Sequence, residues 1–306
     1  MNLNAENYYG TEADSEYMSC SQYMGFKECE AKQIAILQGR WQDEPSEAFI
    51  VGNYFHSYFE GEESHRDFCR RHELDIYKSK TDKKTGEVAV SNEKYAPYER
   101  ADSMINTIRR DRFIRQFIEM QGEHEVVMTG TLFGVPWRVR IDKYVPEFRG
   151  SRLILDWKTA ANLYETKYNP ETQERETFVD YYGYSMRAAV YAEIEKQHTG
   201  NETDAQFIII AVSKQEYPDK EVLSLNNRQR WDYELEQIQK CLLYYQQLKK
   251  GEMLPLRCGL CDYCRATKQL KRIVPYYTLN PQFREEREED DYIRREYRAQ
   301  ESLENA

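Results

Sequence analysis

The sequence has no apolar run that approaches the ~20 residues of a membrane-spanning helix, so no transmembrane helix is expected. A secretory or transit peptide is not expected either, because the first residues given, MNLNAENYYGTEADSEYM, are acidic and polar. A cytoplasmic location is therefore expected. Internal repeats and a clear second domain are absent as well, and residues 1–16 are predicted to be disordered.

The chain also lacks an excess of positive charge, with a formal net charge of −10 over 306 residues. This argues against a general nucleic-acid coat, although charge can be segregated. Taken alone, each of two basic clusters favours a solvated helix face over a phosphate-binding strip. The clusters consist of Arg109, Arg110, Arg112 and Arg115, and of Arg265, Lys268, Lys271 and Arg272.

Disulfides are not expected in a chain without a secretion signal. Three of the seven cysteines are nevertheless crowded into the segment RCGLCDYC, as Cys258, Cys261 and Cys264. Thiolates in a C-x2-C-x2-C pattern converge on a metal with little strain, and such a site needs a fourth ligand. Cys69 and Cys241 have no other cysteine close to them in the sequence and are predicted to be ordinary packing residues.

The hydrophobic pattern changes period along the chain. Helices are predicted at 19–40, around FIVGNYFHSYFEG, and at 99–121, 179–198 and 226–250. Strands are predicted at 125–132, 135–145, 152–158 and 205–212. This order predicts one α/β domain with a mixed sheet.

Two acids and a lysine stand at predicted strand ends. Asp142 closes an alternating strand, and Asp156 closes the next strand, with Lys158 two positions on and on the same face. Mg²⁺ prefers carboxylate oxygens, water and phosphate oxygens, so the pair of acids predicts a divalent-metal site. Lys158 would orient the attacking water or stabilise developing charge. A D-x-K triplet alone favours a surface ion pair, but the apolar strand and the second aspartate favour a site.

These residues resemble the D…(D/E)xK core of the PD-(D/E)xK nucleases, and the surrounding sequence is similar to the RecB/RecE-type branch. That branch includes the exodeoxyribonuclease VIII-like proteins of phages and prophages. The similar segments are SCSQYMGFKECEA, VGNYFHSYFEG, TGTLFGVPWRVRIDKY and YYGYSMRAAVYAEI. The resemblance implies a restriction-endonuclease-like core, a mixed central sheet flanked by helices, over residues 17–272. Residues 273–306 would be a charged tail.

The resemblance also assigns roles to individual residues. His56 would bind the metal with Asp142 and Asp156, although a histidine among aromatic residues is by default a packed core residue. Glu125 would line the site, the alternative being a solvated glutamate at a strand edge. The backbone carbonyl of Trp157 would assist these residues in holding the metal. The metal would be Mg²⁺ or Mn²⁺.

One position departs from the family pattern. The helix signature Q-x-x-x-Y has Arg187 in place of glutamine, while Tyr191 is retained four residues later, on the same helical face. Arginine contacts phosphate bidentately but accepts no hydrogen bond. We therefore expect Arg187 and Tyr191 to bind DNA. We do not expect Arg187 to orient Lys158 or the attacking water.

The family also suggests the fourth thiolate. In its iron–sulfur branch one early and three late cysteines hold a [4Fe–4S] cluster, which makes Cys29 the expected partner and Cys20 the alternative. Zn²⁺ bound by the same thiolates is the rival to the cluster. Either metal would be structural and would tie the two ends of the domain together.

The resemblance implies a metal-dependent exonuclease that degrades one strand of duplex DNA ends 5′ to 3′. It would act in phage-type recombination with a single-strand annealing protein, in a bacterial host or phage-infected cell, and an oligomer is compatible with this role. Two alternatives remain. One is a DNA-end-binding or scaffold protein without cleavage activity, and the other is an endonuclease of the same fold.

Overall fold

The computed structural model describes residues 3–169, 173–270 and 273–280. The strands are β1 Tyr77–Thr81, β2 Val88–Lys94, β3 Glu123–Leu132, β4 Val135–Phe148, β5 Ser151–Ala160, β6 Lys167–Asn169, β7 Glu174–Glu176, β8 Gln206–Ser213 and β9 Lys220–Ser224. The helices are α1 Thr11–Glu16, α2 Cys20–Glu28, α3 Glu30–Leu37, α4 Glu47–Glu60, α5 Glu62–Arg71, α6 Glu73–Ile76, α7 Ala96–Arg110, α8 Arg112–Glu119, α9 Phe178–Tyr181, α10 Tyr184–Thr199, α11 Arg228–Lys250 and α12 Asp262–Ala266.

The central sheet has five strands in the order β3-β4-β5-β8-β9. β4 and β5 are antiparallel, β5 and β8 are parallel, and β8 and β9 are antiparallel. A parallel neighbour needs a crossover connection, and the chain from β5 to β8 includes the helix α10. The expected fold class, a mixed sheet with flanking helices, is therefore confirmed.

The chain divides into two compact units. Among the described residues, the first unit comprises those up to Asp43, Thr129–Val139 and those from Gln229 onwards, and the second comprises those within Glu44–Met128 and Arg140–Arg228. In the second unit, apolar residues of β5 and β8 pack with those of α4 and α7 in one buried cluster. The ring of Phe59 stacks on Trp157, with centroids 4.4 Å apart.

Helix α4 begins at a serine cap and ends at a glycine. The Ser46 side chain accepts a hydrogen bond from the amide of Phe49, and Gly61, with φ 149°, follows the last helical residue. The helix buries Tyr54 and Phe55 in the core of the second unit. His56 and Glu60, four positions apart, share another face of this helix.

The first unit corrects two expectations. Residues 11–16 form α1, where disorder was predicted, because Ala13 is buried and Asp14 pairs with the buried Arg138. The helix predicted at 19–40 is interrupted at Cys29, whose extended backbone (φ −164°, ψ 104°) separates α2 from α3.

The predicted charged tail lies mostly outside the described residues, which end at residue 280. Its first residues include a short 3₁₀ helix, Tyr276–Leu279. None of the helices in the described ranges combines the length and the apolar character that a bilayer-spanning segment requires.

Candidate active site

The two aspartates lie on neighbouring strands. In the antiparallel register of β4 and β5, Lys143 faces Leu155, and Asp142 and Asp156 each lie one position further along. A side-chain oxygen of Asp142 accepts a hydrogen bond from the amide of Trp157 at 2.9 Å. The register therefore places Asp142 directly opposite Asp156, on the same face of the strand pair.

His56 reaches this place from α4. Its Nδ1 lies 3.2 Å from Oδ2 of Asp142. Burial raises the pKa of the Asp142 carboxyl, but the charge and hydrogen bond of His56, with Lys158 and the Trp157 amide, outweigh burial and lower that pKa below its ordinary value. Asp142 is thus held as a carboxylate.

Lys158 and Asp156 form an ion pair. The Lys158 Nζ also donates to the carbonyl of Trp157 at 3.0 Å and lies 5.3 Å from the ring centre of Tyr184. Asp156 is 2% exposed, and its buried Oδ2 makes no hydrogen bond to any described residue, although Lys158 lies within ion-pair distance. A buried carboxylate oxygen without a hydrogen bond is chemically suited to a cation.

Glu125 lies on β3 with a left-handed backbone, φ 56°. Such a conformation is strained for a residue other than glycine, and strain of this kind is found at functional sites. Its Oε2 pairs with Nε of Arg140 at 2.7 Å. Burial raises the pKa of Glu125 to about 8, with Asp142 and Glu60 adding to the increase and Arg140 opposing it.

Sequence analysis missed Glu60, which shares a hydrogen bond with Glu125 and also accepts one from Ser64. Glu60 follows His56 by four positions on α4. A histidine and a glutamate at i and i+4 on a predicted helix share one face, and this signal was available in the sequence.

The structure gives the side chains of Arg187 and Tyr191 different surroundings. Tyr191 is 5% exposed, and its hydroxyl donates to the carbonyl of Arg140 at 3.0 Å. The DNA contact predicted for Tyr191 does not agree with this burial, because the ring packs against Phe207. Arg187 is half-buried on α10, with its guanidinium 5.8 Å from the Tyr191 ring.

The cysteine set assembles inside the first unit. One ligand atom from each of Cys29, Cys258, Cys261 and Cys264 lies within 4.8 Å of all the others, and among the residues described this is the one such group of three or more His, Cys, Asp or Glu side chains. Sγ of Cys264 lies 3.6 Å from that of Cys29 and 3.9 Å from that of Cys258. Cys29 is therefore confirmed as the fourth member, and the alternative Cys20 lies outside the set.

Backbone amides surround these sulfur atoms. The amides of Leu260 and Cys261 donate to Sγ of Cys258 at 3.4 and 3.3 Å. Burial raises the pKa of the Cys258 thiol, but these amide donors outweigh burial and lower the pKa to about 7. At Cys29 burial dominates and raises the pKa to about 12. Amides directed at sulfur stabilise thiolates, which are the metal-binding form.

The mixed sheet, with two acids and a lysine at one strand pair, defines the class of PD-(D/E)xK-like proteins. The chain belongs to the family described as PDDEXK-like domain of unknown function (DUF3799), which matches residues 19–267. The resemblance inferred from the sequence is thereby confirmed.

One solved structure agrees with this assignment. The crystal structure of the "Putative exonuclease" from Eubacterium rectale superposes with a TM-score of 0.78, at 32% identity, over 92% of this chain and 99% of that chain. The structure of SSO0001 has a TM-score of 0.26 at 11% identity, over 72% of this chain and 86% of that one, and supports no argument. None of the curated proteins matches the chain.

Proposed function

We propose that the protein is a metal-dependent deoxyribonuclease. The observation that supports this most strongly is the meeting of Asp142, Asp156 and Lys158 at one place on adjacent strands, with His56 against Asp142. Two carboxylates, an imidazole and an ammonium at one point suit phosphodiester hydrolysis assisted by a divalent cation.

In this proposal His56, Asp142 and Asp156 hold Mg²⁺ or Mn²⁺. The donor types suit a hard cation, because the site offers two carboxylates and an imidazole. The three donor atoms do not all lie within 4.8 Å of one another, and Lys158 contacts Oδ2 of Asp156, so binding would draw the donors together and displace the ammonium from that oxygen. When bound, the metal supplies Lewis-acid activation of water and neutralises charge on phosphorus. The carbonyl of Trp157 offers a further oxygen and also holds Lys158.

Lys158 acts directly on the reacting groups. Its ammonium is held by Asp156 and by the Trp157 carbonyl, so it is oriented before substrate arrives. From that place it orients the attacking water and stabilises negative charge in the transition state. Glu125 lines the site with Arg140 as its counter-charge.

DNA is the proposed substrate, and aromatic side chains next to the lysine support single-strand contact. Tyr184 lies over Lys158, and the ring of Tyr182 is 6.1 Å from that of Tyr184. Tyr181 and Tyr182 are exposed, and Lys167 lies over both rings. Exposed aromatic rings with an adjacent cation suit base stacking. Arg187 would contact phosphate.

The finer assignment is an exonuclease that acts 5′ to 3′ on duplex ends in phage-type recombination, with a single-strand annealing protein as partner. Its support is the similarity to the Eubacterium rectale protein, whose name refers to an exonuclease, and the RecB/RecE-type motifs. A cytoplasmic location in a bacterial or phage-infected cell, and an oligomeric state, belong to the same proposal.

Incubation with Mg²⁺ and either linear duplex or circular single-stranded DNA tests the function. An end-dependent exonuclease digests only the linear DNA, whereas cutting of the circle indicates an endonuclease. Asp156→Ala should abolish digestion, and Asp67→Ala, which changes an exposed aspartate on α5, should not. Residual activity of the Asp156 variant at wild-type level contradicts the site.

A second candidate is a DNA-end-binding protein without cleavage. Arg187 in place of glutamine favours it, because arginine accepts no hydrogen bond. Binding of duplex ends with no digestion in either Mg²⁺ or Mn²⁺ would support this candidate. Digestion restored or raised by Arg187→Gln would instead show that the site is competent.

For the cysteine set we propose a single Zn²⁺ rather than a [4Fe–4S] cluster. Four sulfur atoms bound to one tetrahedral ion at about 2.3 Å lie roughly 3.8 Å apart. Two of the sulfur separations, 3.6 and 3.9 Å, match that spacing, and all four sulfur atoms lie within 4.8 Å of one another. In a cubane each thiolate binds a different iron, which spreads the sulfur atoms further apart.

Absorption spectra and metal analysis of anaerobically purified protein separate the two metals. Zinc predicts a colourless sample with about one Zn per chain, and a cluster predicts a brown sample that contains iron and acid-labile sulfide. Iron near four per chain would contradict the zinc assignment.

A further inference from the structure

A cavity of about 560 Å³ opens where α7 ends and α8 begins, within the second unit. Three of its lining residues are arginines from the first basic cluster of the sequence. The lining consists of Asn106, Arg109, Arg110, Arg115, Ile118 and Glu119.

The cavity carries uncompensated positive charge. Within the ranges that the structure describes, no carboxylate forms an ion pair with Arg109, Arg110 or Arg115, and Glu119 is the single acid in the lining. Asp111, between the two helices, is already engaged. It accepts hydrogen bonds from two amides at the start of α8 and pairs with Lys220 at 3.6 Å.

Two of the guanidinium groups are held in place. Arg115 donates from Nε and Nη2 to the carbonyl of Arg109, at 3.2 and 3.0 Å. The guanidinium of Arg109 lies over the ring of Tyr58, 5.6 Å from its centre. Tyr58 belongs to α4, the helix that also carries His56. Groups already ordered lose less entropy when they bind an anion.

We propose that this cavity binds backbone phosphates of nucleic acid outside the catalytic cluster. Planar guanidinium groups match phosphate oxygens bidentately. The volume admits more than one phosphate group, which favours a chain over a single small anion. This inference rests on the proposed function, because it names a second place where the same substrate binds.

Arg110→Gln is the most direct test, because no described residue makes a hydrogen bond or an ion pair with the Arg110 side chain. Duplex binding is measured in an Asp156→Ala background, so that the substrate is not consumed, over a series of salt concentrations. Loss of one phosphate contact should weaken binding roughly tenfold near 0.1 M salt and reduce the slope of log K against log salt by about 0.9. The loss should be equal for two unrelated duplex sequences, because phosphate contacts carry no sequence information.

Arg66→Gln is the matched control, since it removes the same charge from an exposed position on α5. The inference is overturned when Arg110→Gln and Arg66→Gln give the same duplex affinity and the same dependence of that affinity on salt. Failure of the proposed function is a separate result, in which the wild-type protein neither cleaves nor binds duplex DNA.

Discussion

Asp142 is the residue on which the candidate active site is organised. One oxygen of its carboxylate contacts Nδ1 of His56 at 3.2 Å and accepts the amide hydrogen of Trp157 at 2.9 Å. These contacts join α4, β4 and β5 at one side chain. The lowered pKa of Asp142 keeps the group charged, which is the state that binds a cation.

Replacement of Lys158 by methionine should lower the cleavage rate by about 100- to 1,000-fold, the usual cost of removing one stabilising donor. DNA affinity should change much less, because the folded site is otherwise intact. Single-turnover cleavage and a binding titration measure the two effects. Lys78→Met, at an exposed lysine on β1, is the control and should cleave normally. Equal rates for the two variants would remove Lys158 from the mechanism.

At the scale of elements, a buried charged group joins the sheet to α10. Glu195 is 0% exposed and accepts hydrogen bonds from Nε and Nη2 of Arg152, both at 2.8 Å, and from the Tyr144 hydroxyl at 2.7 Å. Strands β4 and β5 and helix α10 therefore share one polar network. Removing one partner of a buried pair leaves an uncompensated charge.

Glu195→Ala should lower the free energy of unfolding by about 3–5 kcal/mol, because Arg152 would lose its buried counter-charge. Glu193→Ala, two positions away, removes a more exposed carboxylate that pairs with Lys196 and should cost at most about 1 kcal/mol. Urea unfolding of both variants measures the difference. A cost for Glu195→Ala no larger than that of its neighbour would contradict this account.

Lys249 on α11 makes the stability of the first unit depend on pH. Burial, with the charge of Arg138, lowers the pKa of Lys249 to about 8, and Asp14 opposes the shift. Below pH 8 the Lys249 ammonium is charged in both the folded and the unfolded chain, and above the ordinary lysine pKa the amine is neutral in both. Between these values only the unfolded chain retains the proton, so stability rises with pH.

The unfolding free energy of the wild type, relative to Lys249→Met, should therefore increase between pH 8 and pH 10, by at most about 3 kcal/mol. The comparison cancels other groups that titrate in this range. Chemical unfolding at several pH values provides the measurement. A difference that stays constant with pH would show that the lysine keeps its proton in the folded state.

At the scale of the whole chain, the cysteine set connects distant sequence. Cys29 and Cys264 are 235 positions apart, and their sulfur atoms lie 3.6 Å from each other. A metal held by both closes a long loop, and binding free energy at such a site contributes directly to folding.

Metal removal by a strong chelator should therefore lower the melting temperature, and Cys29→Ser should reproduce most of that loss without chelator. Cys241→Ser, outside the set, is the matched control and should retain the metal. Melting curves with metal analysis provide the measurement. An unchanged melting temperature in a metal-free sample would exclude a structural role.

Much of this protein follows from local sequence. Runs of β-branched, aromatic and other apolar residues predicted the four long strands of the mixed sheet. The D-x-K pattern after an apolar strand predicted that Asp142, Asp156 and Lys158 lie near one another at strand ends, but β4 and β5 continue to Phe148 and Ala160, so these residues lie within the strands. Strand period and register are local properties, so a single sequence expresses them. The C-x2-C-x2-C spacing likewise predicted three members of the cysteine set, and the fourth, Cys29, came from the family resemblance.

Other features were decided only by tertiary structure. The helix α1 forms because Ala13 is buried and Asp14 pairs with Arg138, a partner 124 positions away. Glu60 joins the site through Glu125, the arginines line a cavity through the turn between two helices, and Tyr191 is buried by the packing of α10. Burial and long-range pairing depend on which elements meet, and no local pattern contains that information.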